Sequence, residues 1–389
     1  MSTASEFDIV VYGATGFTGA LTADYLARQL AAGKSFSWAI AGRSEDKLRR
    51  RVEELAQLTD QAPEIVVASA GDPASLREMA ERARVVITTV GPYDRYGEPL
   101  VQACVEGGAD YVDITGEPQF VRRLLENHDA AAREKGLRLV NCCGFDSVPH
   151  DLGAMLTARE LPSDEPMTIE GLVFGAGEMS GGTWHSAVNA FAQIRTTAKS
   201  LGSLRAPAGR RVRGSRRGVH FEKKVDAWAA PLMTIDPWIV LRSACAMDEY
   251  GPDFRYGHYV RVRSLPKLAI GAAALSGAVA MAQLKPTRNL LLKLKKPGDG
   301  PDEKKRSRSR FEVVFLGRSK GGQQARVEVS GGDPGYGETS KMLAESALSL
   351  VEDRDNLPER FGILTPAMAF EELLVERLRA ADMCFEVMG

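Results

Sequence analysis

A chain of 389 residues exceeds the size at which one hydrophobic core normally suffices, so we expect two domains. Its 50 basic and 51 acidic side chains nearly cancel, which gives no overall reason to expect nucleic acid as a partner. The five cysteines form no CxxC pair, and the N-terminus lacks a signal-peptide pattern. We therefore expect a reduced, cytoplasmic protein.

The first part of the chain alternates strand and helix patterns. The predicted strands are FDIVVYG, SWAIAGR, EIVVASAGD, RVVITTVGPY, DYVDITGE and LRLVNCCGFDS. The predicted helices cover residues 18–30, 45–58, 75–82, 99–106 and 119–135. This alternation is typical of an α/β fold, and it predicts a Rossmann domain with a doubly wound parallel sheet over residues 1–148.

The pattern changes after Val148. Strands predicted in MTIEGLVFGAG, FEVVFLGRS and ARVEVSGGD are separated by a basic loop and an uncharged segment. This arrangement favours a second, α+β domain over residues 149–334, for substrate binding or oligomerisation. Helical patterns return over residues 335–389, and we expect these C-terminal helices to pack back on the first domain.

The uncharged segment, residues 268–284, is about 17 residues long, which is the lower limit for crossing a bilayer. Its many alanines and glycines provide little drive for insertion. Lys267, Lys293, Lys295 and Lys296 flank it and suit anionic headgroups. Three expectations stay open: peripheral contact with the inner face of the plasma membrane, contact with an acyl chain, or burial at a protein interface.

The stretch GATGFTG joins the first predicted strand to the first predicted helix. Gly13 allows a tight turn, Gly16 allows a diphosphate to approach the backbone, and Gly19 lets the helix lie against the strand. N–H groups at the start of the helix would then face the phosphates. The loop residues that we assign to a dinucleotide are Gly13, Thr15, Gly16, Phe17, Thr18 and Gly19. The alternative is a tight turn without a ligand.

The end of the second strand indicates which dinucleotide binds. NAD-binding proteins usually have an acidic residue there for the ribose 2′-hydroxyl, whereas this chain has GRS. Arg43 suits a 2′-phosphate, with Ser44 and Lys47 beside it, so we predict NADP(H) as the cofactor. Further cofactor contacts are expected at the ends of the third and fourth strands, from Asp72, Gly91 and Pro92.

Several motifs occur in a specific order: GATGFTG, AGRS, TVGPY, YGEPLVQACVEGGADYVDITGE and CCGFDSVPHDLG. Together they resemble the saccharopine dehydrogenase-like oxidoreductases, and SGGTW, GDPGYG and LTPA extend the resemblance over most of the chain. Within that family the sequence is most similar to the actinobacterial trans-acting enoyl reductases of lipid and glycolipid synthesis. The resemblance implies a Rossmann domain, a second α/β domain that closes over the cofactor, and NADPH. For some members it also implies membrane-associated lipid metabolism.

We therefore expect NADPH-dependent reduction of an enoyl or keto group on a small-molecule or carrier-linked acyl substrate. Hydride transfer belongs to the cofactor, so the protein must supply a proton donor. The main candidates are Tyr93, at the end of the fourth strand, and Asp146 and His150, after the last strand of the first domain. Thr183 and His185 are weaker candidates. Packing, a turn or a helix cap is the structural alternative.

Two other functions stay open. One is an amino-acid dehydrogenase acting on a C–N bond, which would need convergent cations for an anionic substrate. The other is an NADP-binding sensor or scaffold without catalysis. The spacing of His, Cys and Asp indicates no metal site. We expect no nucleic acid partner, and we expect a homodimer that forms through the second domain.

Overall fold

The computed structural model describes residues 5–176, 188, 204, 206–232, 234–294 and 302–388. Thr183 and His185, which the sequence suggested as weak catalytic candidates, lie outside these residues, as do Lys295 and Lys296. The chain divides into two compact units. The first unit is formed by Met1–Phe145 with Tyr336–Ala381, and the second by Asp146–Gly335 with Asp382–Gly389.

The first unit contains a seven-stranded parallel sheet. Its strands are β1 (Phe7–Tyr12), β2 (Trp38–Gly42), β3 (Glu64–Val67), β4 (Ala83–Thr88), β5 (Asp110–Asp113), β6 (Arg138–Val140) and β14 (Gly362–Leu364). Their order is β14-β6-β5-β4-β1-β2-β3, and every neighbouring pair is parallel. Ile9, Val10 and Val11 of β1 are fully buried, as expected for a sheet covered on both faces. The predicted doubly wound α/β fold is thereby confirmed.

Helices connect and cover this sheet. They are α1 (Phe17–Ala31), α2 (Glu45–Leu55), α3 (Pro73–Glu81), α4 (Tyr93–Gly107), α5 (Pro118–Asn127), α6 (Asp129–Glu134), α12 (Gly337–Glu352) and α13 (Pro366–Ala380). Helix α4 begins six residues before its predicted start at Pro99, because the Glu117 carboxylate accepts hydrogen bonds from the Tyr93 and Asp94 N–H groups. The predicted helix over residues 119–135 is divided into α5 and α6 at His128, whose φ of −126° is not helical.

The C-terminal helices α12 and α13 belong to the first unit, as expected. The Tyr25 hydroxyl of α1 donates a 2.7 Å hydrogen bond to Glu345 of α12. Arg377 of α13 forms ion pairs with Glu345 and with Glu352 at 2.8 and 2.9 Å. These polar contacts join α12 to α1, which follows the glycine loop, and join α13 to α12.

The second unit contains a mixed eight-stranded sheet. Its strands are β7 (Met167–Ala176), β8 (Arg211–Gly214), β9 (His220–Glu222), β10 (Ala227–Pro231), β11 (Asp253–Val262), β12 (Arg310–Ser319), β13 (Gln324–Gly331) and β15 (Cys384–Met388). The order is β15-β13-β12-β7-β11-β10-β9, and β8 pairs with β11. Strand β15 differs from the expectation that all of 335–389 returns to the first domain. It pairs with β13, with Phe385 opposite Val329, because both side chains are buried in this sheet.

The described helices of the second unit differ sharply in exposure. They are α7 (Val148–Arg159), α8 (Asp236–Ala246), α9 (Leu265–Gln283), α10 (Lys285–Lys293) and the single turn α11 (Glu303–Arg306). Helix α7 packs closely on the sheet, since a Cβ at Gly153 would lie 2.2 Å from the Phe315 ring. In helix α9 only Ala282 is buried, and Ile270 is 70% exposed. Among the described helices, α9 alone has the length and apolar composition of a membrane span, which by itself is weak evidence.

Candidate functional site

The glycine loop lies at the carboxyl end of β1. This strand pairs with β2 on one side and with β4 on the other, so the strand order reverses there. In doubly wound sheets, ligands bind outside the carboxyl ends of the strands at this reversal point. The loop predicted to hold a dinucleotide therefore has the position that such a ligand requires.

Glycine is required at both ends of the loop. Gly13 has a φ of +95°, and a Cβ there would lie 2.8 Å from the Val90 side chain. At Gly19 a Cβ would lie 2.2 Å from the Gly13 carbonyl oxygen, so helix α1 packs on the loop only without a side chain. The Gly16 N–H donates to the Gly13 carbonyl at 2.9 Å, which closes the turn.

The first turn of α1 is open to an anion. No described side chain caps this helix, and Thr15 and Gly16 at its start are exposed. The Phe17 ring packs edge-on against Tyr336 with centroids 5.0 Å apart, while Thr18 is half-buried. Uncapped N–H groups and the helix dipole together favour a phosphate at this point. The residues present thus fit the diphosphate of a dinucleotide.

The end of β2 carries positive charge. Arg43 and Lys47 are exposed, and Ser44 precedes the first turn of α2. The nearest acidic residue, Glu45, forms an ion pair with Arg49 one helical turn further along. No described carboxylate pairs with Arg43. This end of the strand therefore suits the 2′-phosphate of NADP(H) better than a ribose 2′-hydroxyl.

The remaining expected cofactor residues lie at the same edge of the sheet. Gly91 and Pro92 are exposed between β4 and α4. Asp72 is also exposed, but its carboxylate caps α3 by accepting hydrogen bonds from the Ala74 and Ser75 N–H groups at 3.2 and 3.4 Å. The structure shows this capping role of Asp72, and a contact of Asp72 with the cofactor stays a prediction.

Tyr93, the first proton-donor candidate, is buried in the first unit. Its hydroxyl donates to the Thr88 carbonyl at 3.1 Å, and its ring packs on Phe120. Burial, with the negative charge of Asp113, raises the pKa of Tyr93 well above its ordinary value. These contacts favour a packing role for Tyr93, and its catalytic role is left as a prediction.

Asp146, the second candidate, opens the second unit. It is accessible to solvent although protein atoms crowd around it. Desolvation by these atoms, together with the negative charge of Asp236, raises the pKa of Asp146 to about 7. A carboxyl group that is reachable and has a raised pKa has the properties of a general acid.

His150, the third candidate, belongs to a buried group in the second unit that we call the His–Asp–His cluster: His150 of α7, Asp236 of α8 and His258 of β11. These residues are 1, 3 and 5% exposed. His150 Nε2 lies 3.6 Å from Asp236 Oδ1, and His258 Nε2 lies 3.4 Å from Asp236 Oδ2. The Thr234 hydroxyl donates to Asp236 Oδ2, and the Tyr256 hydroxyl lies 3.2 Å from His258 Nδ1.

The cluster keeps its carboxylate charged and one imidazole neutral. Burial lowers the pKa of His150 to about 4, and Asp236 only partly offsets this. Burial opposes ionisation of Asp236, but the two imidazoles and Thr234 outweigh it and hold the pKa of Asp236 below its ordinary value. His150 is therefore neutral at pH 7 and faces an anionic partner.

A second group of three potential metal ligands lies on the sheet of the second unit. Glu170, His220 and Glu222 are partly exposed and have ligand atoms within 4.8 Å of one another. The Arg217 guanidinium lies 3.0 Å from Glu170 and 3.6 Å from Glu222, so a side-chain cation already compensates both carboxylates.

Sequence patterns missed Asp236 and His258. Asp236 begins a helix in TIDPW, which suggests only a helix start, and His258 lies in an ordinary strand pattern. No local signal joins them to His150, because α7, α8 and β11 come together only in the folded unit. The sequence identified His150 from its position after the first domain, not from these neighbours.

Comparison with known proteins identifies the chain. Residues 9–140 match the family of saccharopine dehydrogenase NADP-binding domains. A Mycobacterium tuberculosis protein that carries the name of a trans-acting enoyl reductase is 37% identical over 99% of this chain and 98% of its own length. The trans-acting enoyl reductase of Mycobacterium ulcerans is 34% identical over 96% of both chains.

A solved structure supports the fold. Apo saccharopine dehydrogenase (L-Glu forming) from Saccharomyces cerevisiae superposes with a TM-score of 0.55 over 98% of this chain and 100% of its own, at 12% identity. The family match also confirms the predicted NADP(H) cofactor. The chain therefore belongs to the saccharopine dehydrogenase-like oxidoreductases and, within them, to the trans-acting enoyl reductase group, and it is an NADP-dependent oxidoreductase.

Proposed function

We propose that the protein reduces the carbon–carbon double bond of an enoyl thioester that a separate carrier protein presents. The observation that carries this proposal is the 34–37% identity, over nearly the full chain, to proteins named trans-acting enoyl reductases. The glycine loop and Arg43 support it, because this reaction needs a reduced dinucleotide. The 12% identity to saccharopine dehydrogenase supports the shared fold only.

The reaction needs one hydride and one proton. When bound, NADPH supplies the hydride for the β-carbon and leaves as NADP⁺. Asp146 donates a proton to the α-carbon, which gives the saturated thioester and leaves Asp146 as a carboxylate. Solvent then returns a proton to Asp146. Asp146 suits the role of proton donor better than Tyr93 does. Asp146 has a raised pKa and is accessible to solvent, whereas the Tyr93 hydroxyl is buried.

The test is NADPH oxidation by the purified full-length protein with enoyl thioesters. Crotonyl and longer enoyl chains are offered on pantetheine and on an acyl carrier protein, and the saturated product is identified by mass spectrometry. We expect turnover with NADPH, faster on the carrier and at least tenfold slower with NADH. Tight NADPH binding without turnover of any enoyl substrate would contradict the proposal and favour the sensor. Turnover of saccharopine would favour the amino-acid dehydrogenase.

We further propose that the acyl substrate is a lipid precursor and that helix α9 docks the protein on the inner face of the plasma membrane. Exposed apolar side chains on α9 and beyond support this, since Ile270, Leu275 and Leu284 are 70, 51 and 63% exposed. Lys267 and Lys285 at the two ends of the helix are exposed and suit anionic headgroups. An apolar helix with cationic ends is typical of an interfacial anchor.

Vesicle flotation tests this docking. We expect the protein to float with vesicles of phosphatidylglycerol and phosphatidylcholine, and the double variant Ile270→Ser, Leu275→Ser to lose at least about tenfold in binding. Val67→Ser is the matched control, because Val67 is 51% exposed on β3 of the first unit. Equal flotation of all three proteins would contradict docking through α9. Light scattering on the same proteins without vesicles would test the expected homodimer.

A further inference from the structure

The His–Asp–His cluster places three potential metal ligands, two imidazoles and one carboxylate, around one point in the second unit. One ring nitrogen of each histidine and one carboxylate oxygen of Asp236 lie within 4.8 Å of one another, and all three side chains are at least nine-tenths buried. Imidazole nitrogen and carboxylate oxygen are the usual protein ligands of Zn²⁺ and of neighbouring divalent transition metals. The chemistry and the burial of these residues thus match a metal-binding site.

The distances within the cluster are longer than those of charge-assisted hydrogen bonds and suit a shared cation. The two N···O separations are 3.4 and 3.6 Å, whereas charge-assisted hydrogen bonds are about 2.7–2.9 Å long. Two ligand atoms that bind one tetrahedral Zn²⁺ at about 2.1 Å lie about 3.4 Å apart. Each of the two separations, which run to different oxygens of Asp236, is therefore close to the edge of a coordination tetrahedron.

Two atoms of the cluster lack partners. Asp236 Oδ1 and His258 Nε2 are buried, and no described residue forms a hydrogen bond with either. Leaving a buried carboxylate oxygen and a buried ring nitrogen without a hydrogen-bond partner destabilises the folded protein. A cation between them would satisfy both atoms at once.

The surroundings of the cluster hold the ligand atoms in place. The Tyr256 hydroxyl lies 3.2 Å from His258 Nδ1, so this hydrogen bond fixes the ring and leaves Nε2 directed at Asp236. The Thr234 hydroxyl donates to the Asp236 carboxylate. Such outer partners accompany metal-binding histidines and carboxylates. Among the described residues no Lys or Arg forms an ion pair with Asp236, in contrast to Arg217 beside Glu170 and Glu222.

We propose that His150, Asp236 and His258 bind one divalent transition-metal cation of the Zn²⁺ type, through the two Nε2 atoms and the carboxylate. Three protein ligands leave one tetrahedral position for a water molecule or another donor. In this assignment His150 is a metal ligand and not the proton donor. The assignment does not depend on the enoyl substrate, because it rests only on the residues of the second unit.

Metal binding by the full-length protein, freed of any histidine tag and dialysed against a chelator, tests the site. We expect one Zn²⁺ per chain by elemental analysis after gel filtration. We also expect Co²⁺ to give the visible absorption of a tetrahedral complex, and Zn²⁺ to raise the unfolding temperature. His150→Gln and His258→Gln should each weaken binding at least about 100-fold, since even loss of an outer partner costs 10- to 100-fold. Tyr256→Phe should therefore cost about 10- to 100-fold.

The matched control is His220→Gln, because His220 belongs to the exposed group that Arg217 compensates. Its Zn²⁺ affinity should equal that of the unchanged protein. Circular dichroism of the metal-free proteins identifies any variant that fails to fold, and the two histidine variants and Tyr256→Phe provide independent measurements. Absence of stoichiometric Zn²⁺ and Co²⁺ binding by the folded, unchanged protein would overturn the proposal. Equal affinity in a folded His258→Gln variant would overturn it as well.

Discussion

The glycine loop of the first unit and the His–Asp–His cluster of the second unit are both polar sites, but they are built in opposite ways. The loop lies within one short stretch, Gly13 to Gly19, and its Thr15 and Gly16 are exposed. The cluster buries side chains from two helices and one strand that are far apart in sequence. One region is local and open to solvent, whereas the other is assembled by folding and closed.

This difference explains which site sequence patterns reveal. A site built from backbone atoms needs glycines at fixed positions, because consecutive residues form the site and their order in the sequence determines its shape. A side-chain site needs only that its members meet, and their spacing in sequence is then unconstrained.

The largest effect is expected for Gly19→Ala. The new Cβ would meet the Gly13 carbonyl oxygen at 2.2 Å, and a backbone atom there moves only if the loop opens. NADPH binding, measured by fluorescence titration, should be lost, and NADPH-dependent turnover with it. The control is Gly271→Ala, also a helical position, where no atom of the described residues lies within 4 Å of the added Cβ. Unchanged NADPH affinity in Gly19→Ala would show that the loop does not bind the cofactor.

Asp146→Asn should lower kcat about 100- to 10,000-fold while the NADPH affinity stays the same. The cause is loss of a proton donor whose pKa is raised to about 7. In the unchanged protein the donor loses its proton as the pH rises, so kcat should fall above about pH 7. Rates are measured after chelator treatment, because a cation on Asp236 would offset the charge that helps raise this pKa. Asp164→Asn, at an exposed carboxylate of the same unit, is the control. A full-rate Asp146→Asn enzyme would exclude this role.

Arg43→Ala should weaken NADPH binding about 10- to 100-fold and leave NADH binding nearly unchanged. A charge-assisted contact to the 2′-phosphate contributes about 1.5–3 kcal/mol, and NADH has no such phosphate. The comparison is with Arg49→Ala, since Arg49 is exposed on α2 and pairs with Glu45 instead. Parallel losses of NADPH and NADH affinity would contradict the assignment of Arg43 to the 2′-phosphate.

The smallest effect is expected for Asp72→Ala. Removing this cap of α3 should cost about 1 kcal/mol in the free energy of unfolding, measured by denaturant titration. NADPH affinity should change by less than about threefold if capping is the main role of this carboxylate. A large loss of affinity with unchanged stability would instead show direct contact with the cofactor, as the sequence predicted.

The fold shows the same division between local and distant determinants. Strands β1, β2 and β4 of the first sheet are mostly apolar and buried, so their patterns predicted them well. The start of α4 was missed because its cap, Glu117, comes from a distant part of the chain. Strand β15 was missed because an edge strand depends on its partner, here β13, for its hydrogen bonds.

By itself, the sequence determined the parallel α/β unit, the glycine loop, the absence of an acidic residue after β2, and the family. Each of these depends on residues that are adjacent or regularly spaced, so local physics is sufficient. Only the tertiary structure brought Asp236 and His258 to His150 and exposed helix α9 along nearly its whole length. Burial and proximity are properties of the packed chain, because they depend on which distant segments cover a residue, and no local pattern encodes that.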